Sequence, residues 1–279
     1  MSRICALLSA LLLSAPADAV ATDAQSAAVG APTSAKKGAA GQAKDAGKAL
    51  QESGVSWLYN WLPEPGCALP EGVEFVPMIW GKKNLPDIDK VIGRGKVLLA
   101  FNEPERKKQG NITVEEALEA WPKLEATKMR LGSPAPAAGG ASPGGWLDRF
   151  MIGAKERGYR VDFVCVHWYG GNYDPDAATR HLHTYLSAVH ERYQKPIWLT
   201  EFALNNYKEG EAPATAAEQQ AFMVKALPML DALPFVERYS WFVFSSNRKD
   251  KPHNWYLLTA EGSLTEVGET YSTASPAKP

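Results

Sequence analysis

The chain has 279 residues, of which 45% are hydrophobic, and its formal net charge at pH 7 is −1. That length suits one large domain or two small ones, and the hydrophobic content is sufficient for a sizeable core. A net charge so close to zero gives no reason to expect a nucleic acid or an anionic membrane surface as a partner.

The N-terminus differs in composition from the rest of the chain, because all nine tryptophans lie between Trp57 and Trp255. Arg3 precedes a mostly apolar run at residues 4–13 and an A-x-A-type site at residues 17–19, which predicts a signal peptide over residues 1–19. The apolar run is too short to span a bilayer, so an uncleaved anchor is the less favoured alternative. We therefore expect a secreted or periplasmic protein with no membrane contact after cleavage.

Residues 20–52 are rich in alanine, glycine, serine and lysine and contain no aromatic side chain. Such a segment cannot bury enough apolar surface to offset the entropy lost on ordering. We therefore predict a flexible linker over residues 20–52 and a folded domain over residues 53–275. Cys67 and Cys165 could pair in a secreted protein, but Cys165 lies in a buried-strand pattern, so two unpaired thiols are favoured.

Strand-like and helix-like segments alternate through the predicted domain. The strand-like segments are residues 55–61, 74–80, 97–101, 130–135, 162–169, 196–202 and 238–244. Capping boxes open two of the intervening helices, one at Thr113 and one at Thr215. The alternation predicts an α/β parallel sheet, and at this length the default is a (β/α)8 TIM barrel. The connection from Trp80 to Lys96 is short, so we expect irregularity in the N-terminal half.

Two of the predicted strands end on a glutamate. Residues 97–101 run into Asn102, Glu103 and Pro104, and residues 196–200 run into Glu201. Pro104 cannot extend its strand, because it lacks an N–H group. Ligands of α/β folds bind outside the carboxyl ends of the strands, and two carboxylates placed there are what cleavage of a glycosidic bond requires. If Glu103 ends the fourth strand, then Glu201 ends the seventh.

Aromatic and imidazole side chains near the strand ends predict a sugar-binding surface, since the apolar face of a pyranose packs on an aromatic ring. The candidates are Tyr59, Trp61, Trp80, His167, Tyr169 and Trp241. Core packing is the alternative for any one of them. His181 and His183 point different ways on a helix, and the sequence contains no HExxH, P-loop or GxGxxG motif. We therefore expect neither a metal nor a cofactor.

The chain resembles glycoside hydrolase family 128 in a series of segments that spans the folded domain up to Tyr271. These segments are residues 54–57, 75–81, 101–104, 131–134, 166–170, 198–202 and 238–242. The resemblance implies a retaining β-1,3-glucanase on a (β/α)8 barrel. It also implies that Glu103 is the acid/base, that Glu201 is the nucleophile, and that Asn102 holds the 2-hydroxyl of the sugar at the cleavage point.

Taken with these patterns, the resemblance implies a monomeric, secreted endo-β-1,3-glucanase that acts on β-glucan polysaccharides or oligosaccharides. The alternatives are an exo-β-1,3-glucanase, another clan A β-glycanase, or a non-catalytic β-glucan-binding protein. The presence of both Glu103 and Glu201 speaks against the last of these.

Overall fold

The structure is a computed structural model that describes residues 34–42, 47–208, 210–245 and 254–274. The predicted signal peptide over residues 1–19 lies outside the described residues. Within the described ranges, no helix combines the length and the apolar character needed to cross a membrane.

Parallel strands form the centre of the molecule. They are β1 (Lys37–Ala40), β2 (Trp57–Tyr59), β3 (Glu74–Phe75), β4 (Met78–Ile79), β5 (Val97–Ala100), β6 (Arg130–Leu131), β7 (Val164–Gly170), β8 (Ile197–Leu204) and β9 (Val236–Phe242). They pair in the orders β3-β2-β1-β9-β8-β7 and β4-β5-β6, and every pairing between them is parallel.

Two junctions join these sheets into a closed ring. Only Val76 and Pro77 separate β3 from β4, so the two segments are parts of one strand. The Val76 amide donates to β2, and the Pro77 carbonyl accepts from β5. At the other junction Gly132 bridges Phe163, which links β6 to the start of β7. The predicted (β/α)8 barrel is therefore confirmed, with β3 and β4 counted together as its third strand.

Helices surround the barrel, and they are longer in its second half. They are α1 (Gly47–Glu52), α2 (Ile88–Val91), α3 (Val114–Glu125), α4 (Trp146–Glu156), α5 (Pro175–Tyr193), α6 (Ala216–Ala232) and α7 (Glu266–Thr273). Both predicted capping boxes form, at Thr113 and Thr215. Among the described residues before β5, the helices are α1, α2 and a 3-10 helix at Lys82–Asp87, so this part of the N-terminal half is irregular as expected.

Strand β1 corrects the predicted domain boundary. The prediction of a flexible linker over residues 20–52 is wrong for residues 34–42 and 47–52, which belong to the barrel; residues 20–33 and 43–46 lie outside the described residues. Strand β1 is buried and pairs with both β2 and β9. Its small residues have a packing reason, because a Cβ atom at Gly38 would overlap the indole ring of Trp57. With β1 counted, Glu103 follows the fourth strand and Glu201 lies in the seventh.

Apolar side chains fill two layers, one inside the barrel and one between the barrel and its helices. Residues of the inner layer include Trp57, Trp198 and Cys165. Cys165 carries no disulfide, and burial in this layer raises the pKa of its thiol. Since the inner layer fills the amino-terminal part of the barrel, the opposite mouth is where a cleft can open.

Candidate active site

A sharp turn after β5 directs Glu103 into the mouth of the barrel. Phe101 and Glu103 have positive φ angles of 52° and 40°, a conformation that residues with a Cβ adopt at a cost. The surrounding barrel holds the turn, since the Asn102 amide donates to Trp80 and the Glu103 amide donates to Ala135, both at 2.8 Å. The neighbouring strand ends therefore position this carboxylate.

A bulge in β8 positions Glu201. Trp198 faces the barrel interior and Leu199 faces the helices, so strict alternation would direct Glu201 outward as well. The pairing with β7 instead passes from Val166–Leu199 to His167–Glu201, which makes Thr200 the extra residue. The bulge shifts the alternation by one residue. Glu201 consequently points into the mouth of the barrel beside His167.

The imidazole of His167 lies between the two carboxylates. Its Nδ1 atom is 3.2 Å from Oε1 of Glu103 and 3.6 Å from Oε2 of Glu201. One oxygen of each carboxylate and a ring nitrogen of His167 all lie within 4.8 Å of one another. The side chains of Glu103, Glu201 and His167 are only 12%, 5% and 0% exposed. The site is therefore compact and largely shielded from solvent.

Glu201 accepts hydrogen bonds from three donors. The Tyr169 hydroxyl donates to Oε2 at 2.5 Å, while Trp61 Nε1 at 2.9 Å and the Tyr59 hydroxyl at 3.3 Å donate to Oε1. The Tyr59 hydroxyl shares its proton with the Thr200 carbonyl at 3.0 Å. Burial, together with the negative charge of Glu201, raises the pKa values of Tyr59 and Tyr169 well above their usual range. Both hydroxyls therefore stay protonated and remain donors.

Electrostatics around His167 favour its protonated form. Burial lowers the pKa of His167, but the charges of Glu201 and Glu103 together outweigh burial, so the net direction is upward. A protonated imidazole between two carboxylates reduces their mutual repulsion. His167 thus allows two acidic groups to lie close together inside a buried site.

Glu103 has a different environment from Glu201. Besides His167, its neighbouring charged group is Arg106, whose Nε lies 3.6 Å from Oε2. The adjacent Asn102 is buried, and its Oδ1 finds no hydrogen-bond donor within the described part of the chain. An acceptor left in that state beside a cleft is suited to receive a hydroxyl group from a bound molecule.

A cleft of about 1040 Å³ opens above these groups. Seven of the residues singled out from the sequence line it: Trp61, Trp80, Asn102, Glu103, His167, Tyr169 and Glu201. Tyr59 lies beneath the cleft, fully buried and bonded to Glu201. The predicted ends of the strands therefore do converge on one cavity.

Comparisons with known proteins bear on the chemistry of this cleft. A profile of the glycosyl hydrolase catalytic core matches residues 35–271. A solved structure of a subgroup I GH128 endo-β-1,3-glucanase from Amycolatopsis mediterranei, in complex with laminaritriose, is 44% identical. It covers 87% of this chain and 100% of its own, with a TM-score of 0.80. The chain belongs to glycoside hydrolase family 128.

More distant relatives of this glycoside hydrolase have other descriptions. A subgroup III GH128 curdlan-specific exo-β-1,3-glucanase from Blastomyces gilchristii, in complex with glucose, is 32% identical, covering 87% of this chain and 99% of its own, with a TM-score of 0.68. Alkali-sensitive linkage protein 1 of Schizosaccharomyces pombe is 31% identical over 226 residues, or 78% of this chain. The chain spans only 40% of the length of that curated relative.

Like the fully buried Tyr59, Trp241 does not line the cleft of this family 128 chain, and the predictions that these two residues bind sugar are corrected here. The Trp241 side chain is 0% exposed, and its Nε1 donates to the Trp255 carbonyl at 2.8 Å. Its ring packs on Phe202 and Tyr271. Strand β9 alternates, so Trp241 faces the helices while the next residue, Phe242, faces the cleft.

Several cleft residues of this glycoside hydrolase were not identified from the sequence. Phe242 could have been found by applying period-two alternation to β9. Tyr207 had no comparable signal, because it follows β8 in a loop; it is 67% exposed, and its ring centroid lies 5.3 Å from that of Tyr169. Three consecutive cations at residues 106–108 also line the cleft. Loop residues of this kind become visible as site residues only once the barrel brings them together.

Proposed function

We propose that this glycoside hydrolase is a retaining endo-β-1,3-glucanase in which Glu103 is the acid/base and Glu201 is the nucleophile. The observation that carries the proposal is the proximity of the two carboxylates beside His167, since one oxygen of Glu103 and one oxygen of Glu201 lie within 4.8 Å of each other. Retaining enzymes separate their carboxyl groups by about 5–5.5 Å, whereas inverting enzymes need about 6.5–9.5 Å to admit a water molecule. The observed spacing favours retention.

The two environments support this division of roles. Three donors supply hydrogen bonds to the Glu201 oxygens and orient them for attack. Glu103 accepts fewer hydrogen bonds and lines the same cleft beside His167. It is therefore the better placed group to carry a proton to a departing sugar oxygen.

The reaction proceeds in two displacements. In the first, an oxygen of Glu201 bonds to the anomeric carbon while the bond to the leaving oxygen breaks, and Glu103 gives that oxygen its proton. In the second, water attacks the anomeric carbon and Glu103 takes a proton from the water, while the bond to Glu201 breaks. Both glutamates return to their starting states, and the configuration is inverted twice.

The assignment of β-1,3-glucan as the substrate and of endo action as the mode of cleavage rests on similarity to solved structures. The more similar neighbour is described as an endo-β-1,3-glucanase with bound laminaritriose, at 44% identity, and the exo-acting neighbour is at 32%. Aromatic rings at Trp61, Trp80, Tyr169, Tyr207 and Phe242 supply stacking surfaces for a glucan chain. The proposal includes secretion or periplasmic location, from the N-terminal sequence pattern, and action as a monomer.

Product analysis tests the substrate and the mode of action. After incubation with laminarin, chromatography is expected to show mixed oligosaccharides early in the reaction. Glucose as the sole product of laminarin would instead identify an exo-acting enzyme. The absence of any product would identify a binding protein.

Chemical rescue tests the assignment of the acid/base. Glu103→Ala is expected to impair hydrolysis of laminarin far more than hydrolysis of an aryl β-glucoside, because the aryl leaving group needs no protonation. Added azide should restore turnover of the aryl substrate and yield a β-glycosyl azide. An α-glycosyl azide would contradict retention, and equal losses on both substrates would remove Glu103 from the acid role.

A further inference from the structure

Three consecutive cations border the cleft directly beyond the proposed acid/base. Arg106, Lys107 and Lys108, called here the basic rim, belong to the loop that follows β5, and all three line the cleft with exposed side chains. The distribution of charge is notable because a β-1,3-glucan carries none. Hydroxyl groups and aromatic stacking suffice to bind a neutral sugar, so the binding of a neutral glucan does not require the charge of the rim.

The loop that carries the basic rim is held firmly at both ends. The Arg106 amide donates to the Glu103 carbonyl at 3.0 Å, and the Gly110 amide donates to the Asn102 carbonyl at 2.8 Å. In addition, Glu105 accepts a hydrogen bond from the Ala137 amide at 2.8 Å on the facing wall. The cations therefore extend from a backbone that is fixed relative to Glu103.

Acidic residues do not neutralise the basic rim. Among the described residues, Lys107 and Lys108 form no ion pair, and Arg106 has only the 3.6 Å contact with Glu103. The carboxylates that line the cleft are Glu103 and Glu201, and the proposed mechanism requires one of them to be protonated. The facing wall consists of small uncharged residues at 137–139, 141 and 142, and Glu105 places one carboxylate against it at the Ala137 amide. The three cations outnumber that carboxylate and Glu103, so this end of the cleft is positive and has space.

We propose that the basic rim binds an anionic substituent of the glucan, a carboxylate or phosphate group attached to a sugar hydroxyl near the cleavage point. This inference rests on the proposed function and narrows its substrate class. A guanidinium group can bind such an anion through two parallel hydrogen bonds, and the two ammonium groups add point charges. Positive charge along the wall of a cleft also raises the local concentration of an anionic substrate.

The test compares two derivatives of one polymer. Carboxymethyl laminarin and hydroxyethyl laminarin of equal substitution differ mainly in charge, and the ratio of their kcat/KM values measures the preference for an anion. In Lys107→Gln/Lys108→Gln this ratio is expected to fall about threefold to tenfold, as for the loss of two exposed charge contacts. High salt should reduce the wild-type ratio in the same way, through screening.

A matched control removes equal charge elsewhere. Lys123 and Lys155 lie in the last turns of α3 and α4, and these helices run back to the opposite end of the barrel. Lys123→Gln/Lys155→Gln should leave the ratio unchanged. An equal fall in this control would assign the effect to overall charge and overturn the proposal. An unchanged ratio in the rim variant at an unchanged melting temperature would overturn it as well.

The same measurements separate this inference from the proposed function. If the wild type hydrolyses neither derivative nor laminarin itself, the proposed function fails. If it hydrolyses hydroxyethyl laminarin and shows no salt-sensitive preference for an anionic derivative, only the basic rim proposal fails. Phosphorylated laminarin is the third arm, and a rim-dependent preference for either anionic derivative supports the proposal and identifies the group that is bound.

Discussion

Strand β1 and the carboxyl ends of β5 and β8 lie in the same barrel but contribute different things to it. Strand β1 supplies backbone hydrogen bonds to both of its neighbours and contains no residue that faces the cleft. The ends of β5 and β8 hold Glu103 on a left-handed turn and Glu201 at a bulge. Such conformations persist only where surrounding structure over-determines them. Closure of the barrel and placement of the reacting groups are therefore separable, and each can be perturbed alone.

Removal of β1 is the most damaging change to the frame. A chain that starts at Ser53 lacks β1 and all of α1, and β2 and β9 lose their shared neighbour. We expect it to lose cooperative unfolding altogether, whereas a chain that starts at Ser34 should melt like the full sequence. Circular dichroism melting curves of the two chains make the comparison. A sharp transition at the full-length temperature in the shorter chain would show that β1 is dispensable.

Loss of the proposed nucleophile should abolish turnover and leave the fold intact, which is the opposite of the effect expected for removal of β1. Glu201→Gln is expected to lower kcat by about 10⁴-fold, equivalent to about 5 kcal/mol of barrier, because the attacking electron pair is lost. The amide nitrogen can take the position of Oε2, where the Tyr169 hydroxyl can turn and accept from it. Laminari-oligosaccharide affinity and melting temperature should therefore remain near wild type. Activity within tenfold of wild type would exclude Glu201 as the nucleophile.

Adjacent residues on β9 extend the comparison to single side chains. Trp241→Ala should lower the free energy of unfolding by about 4 kcal/mol, since it leaves a cavity between the barrel and its helices. Its effect on oligosaccharide affinity should be small. Phe242→Ala is the matched variant, and it should weaken that affinity while having the smaller effect on stability, because Phe242 lines the cleft. Urea unfolding measures the stability of both variants, and calorimetric titration measures their oligosaccharide affinity. A larger loss of affinity in Trp241→Ala than in Phe242→Ala would contradict the assignment of Trp241 to the core.

The buried Lys37 on β1 makes the stability of the fold depend on pH. Burial lowers the pKa of Lys37 to about 8 from its usual 10.5, against a smaller opposing effect of Asp231, and its Nζ donates to the Tyr271 carbonyl at 2.7 Å. Between these two pKa values the unfolded chain holds more protons than the folded chain. The contribution of Lys37 to stability therefore rises with pH through this window. Below about pH 8 both states are protonated, and the folded state carries the full cost of the buried charge.

Lys37→Met removes this group, and it should leave enzymatic activity intact because β1 does not reach the cleft. The difference in unfolding free energy between wild type and variant should shift by about 2 kcal/mol in favour of the wild type between about pH 7.5 and about pH 9.5. Urea titrations at the two pH values measure it. The loss of the bond to Tyr271 adds an offset that does not vary with pH. A difference that stays constant would mean that Lys37 titrates normally.

Local sequence determined the barrel and the positions of both glutamates. An apolar run that ends on Asn102, Glu103 and Pro104 must leave its strand there, since proline cannot continue the ladder. A similar run carries Glu201 on β8. Because parallel strands in a barrel end at the same mouth, the pattern placed both groups at one end of the barrel. The aromatic residues on β2 and β7 were found in the same way.

Tertiary structure decided the remaining features, because each depends on a distant partner. Strand β1 has no apolar signal of its own, and Gly38 is suited to its position only because the ring of Trp57 fills the adjacent space. Glu201 faces inward because the bulge at Thr200 shifts its alternation. Trp241 is core rather than cleft because of the register of β9. Composition and periodicity describe neighbours along the chain, whereas burial and side-chain direction are set by neighbours in space.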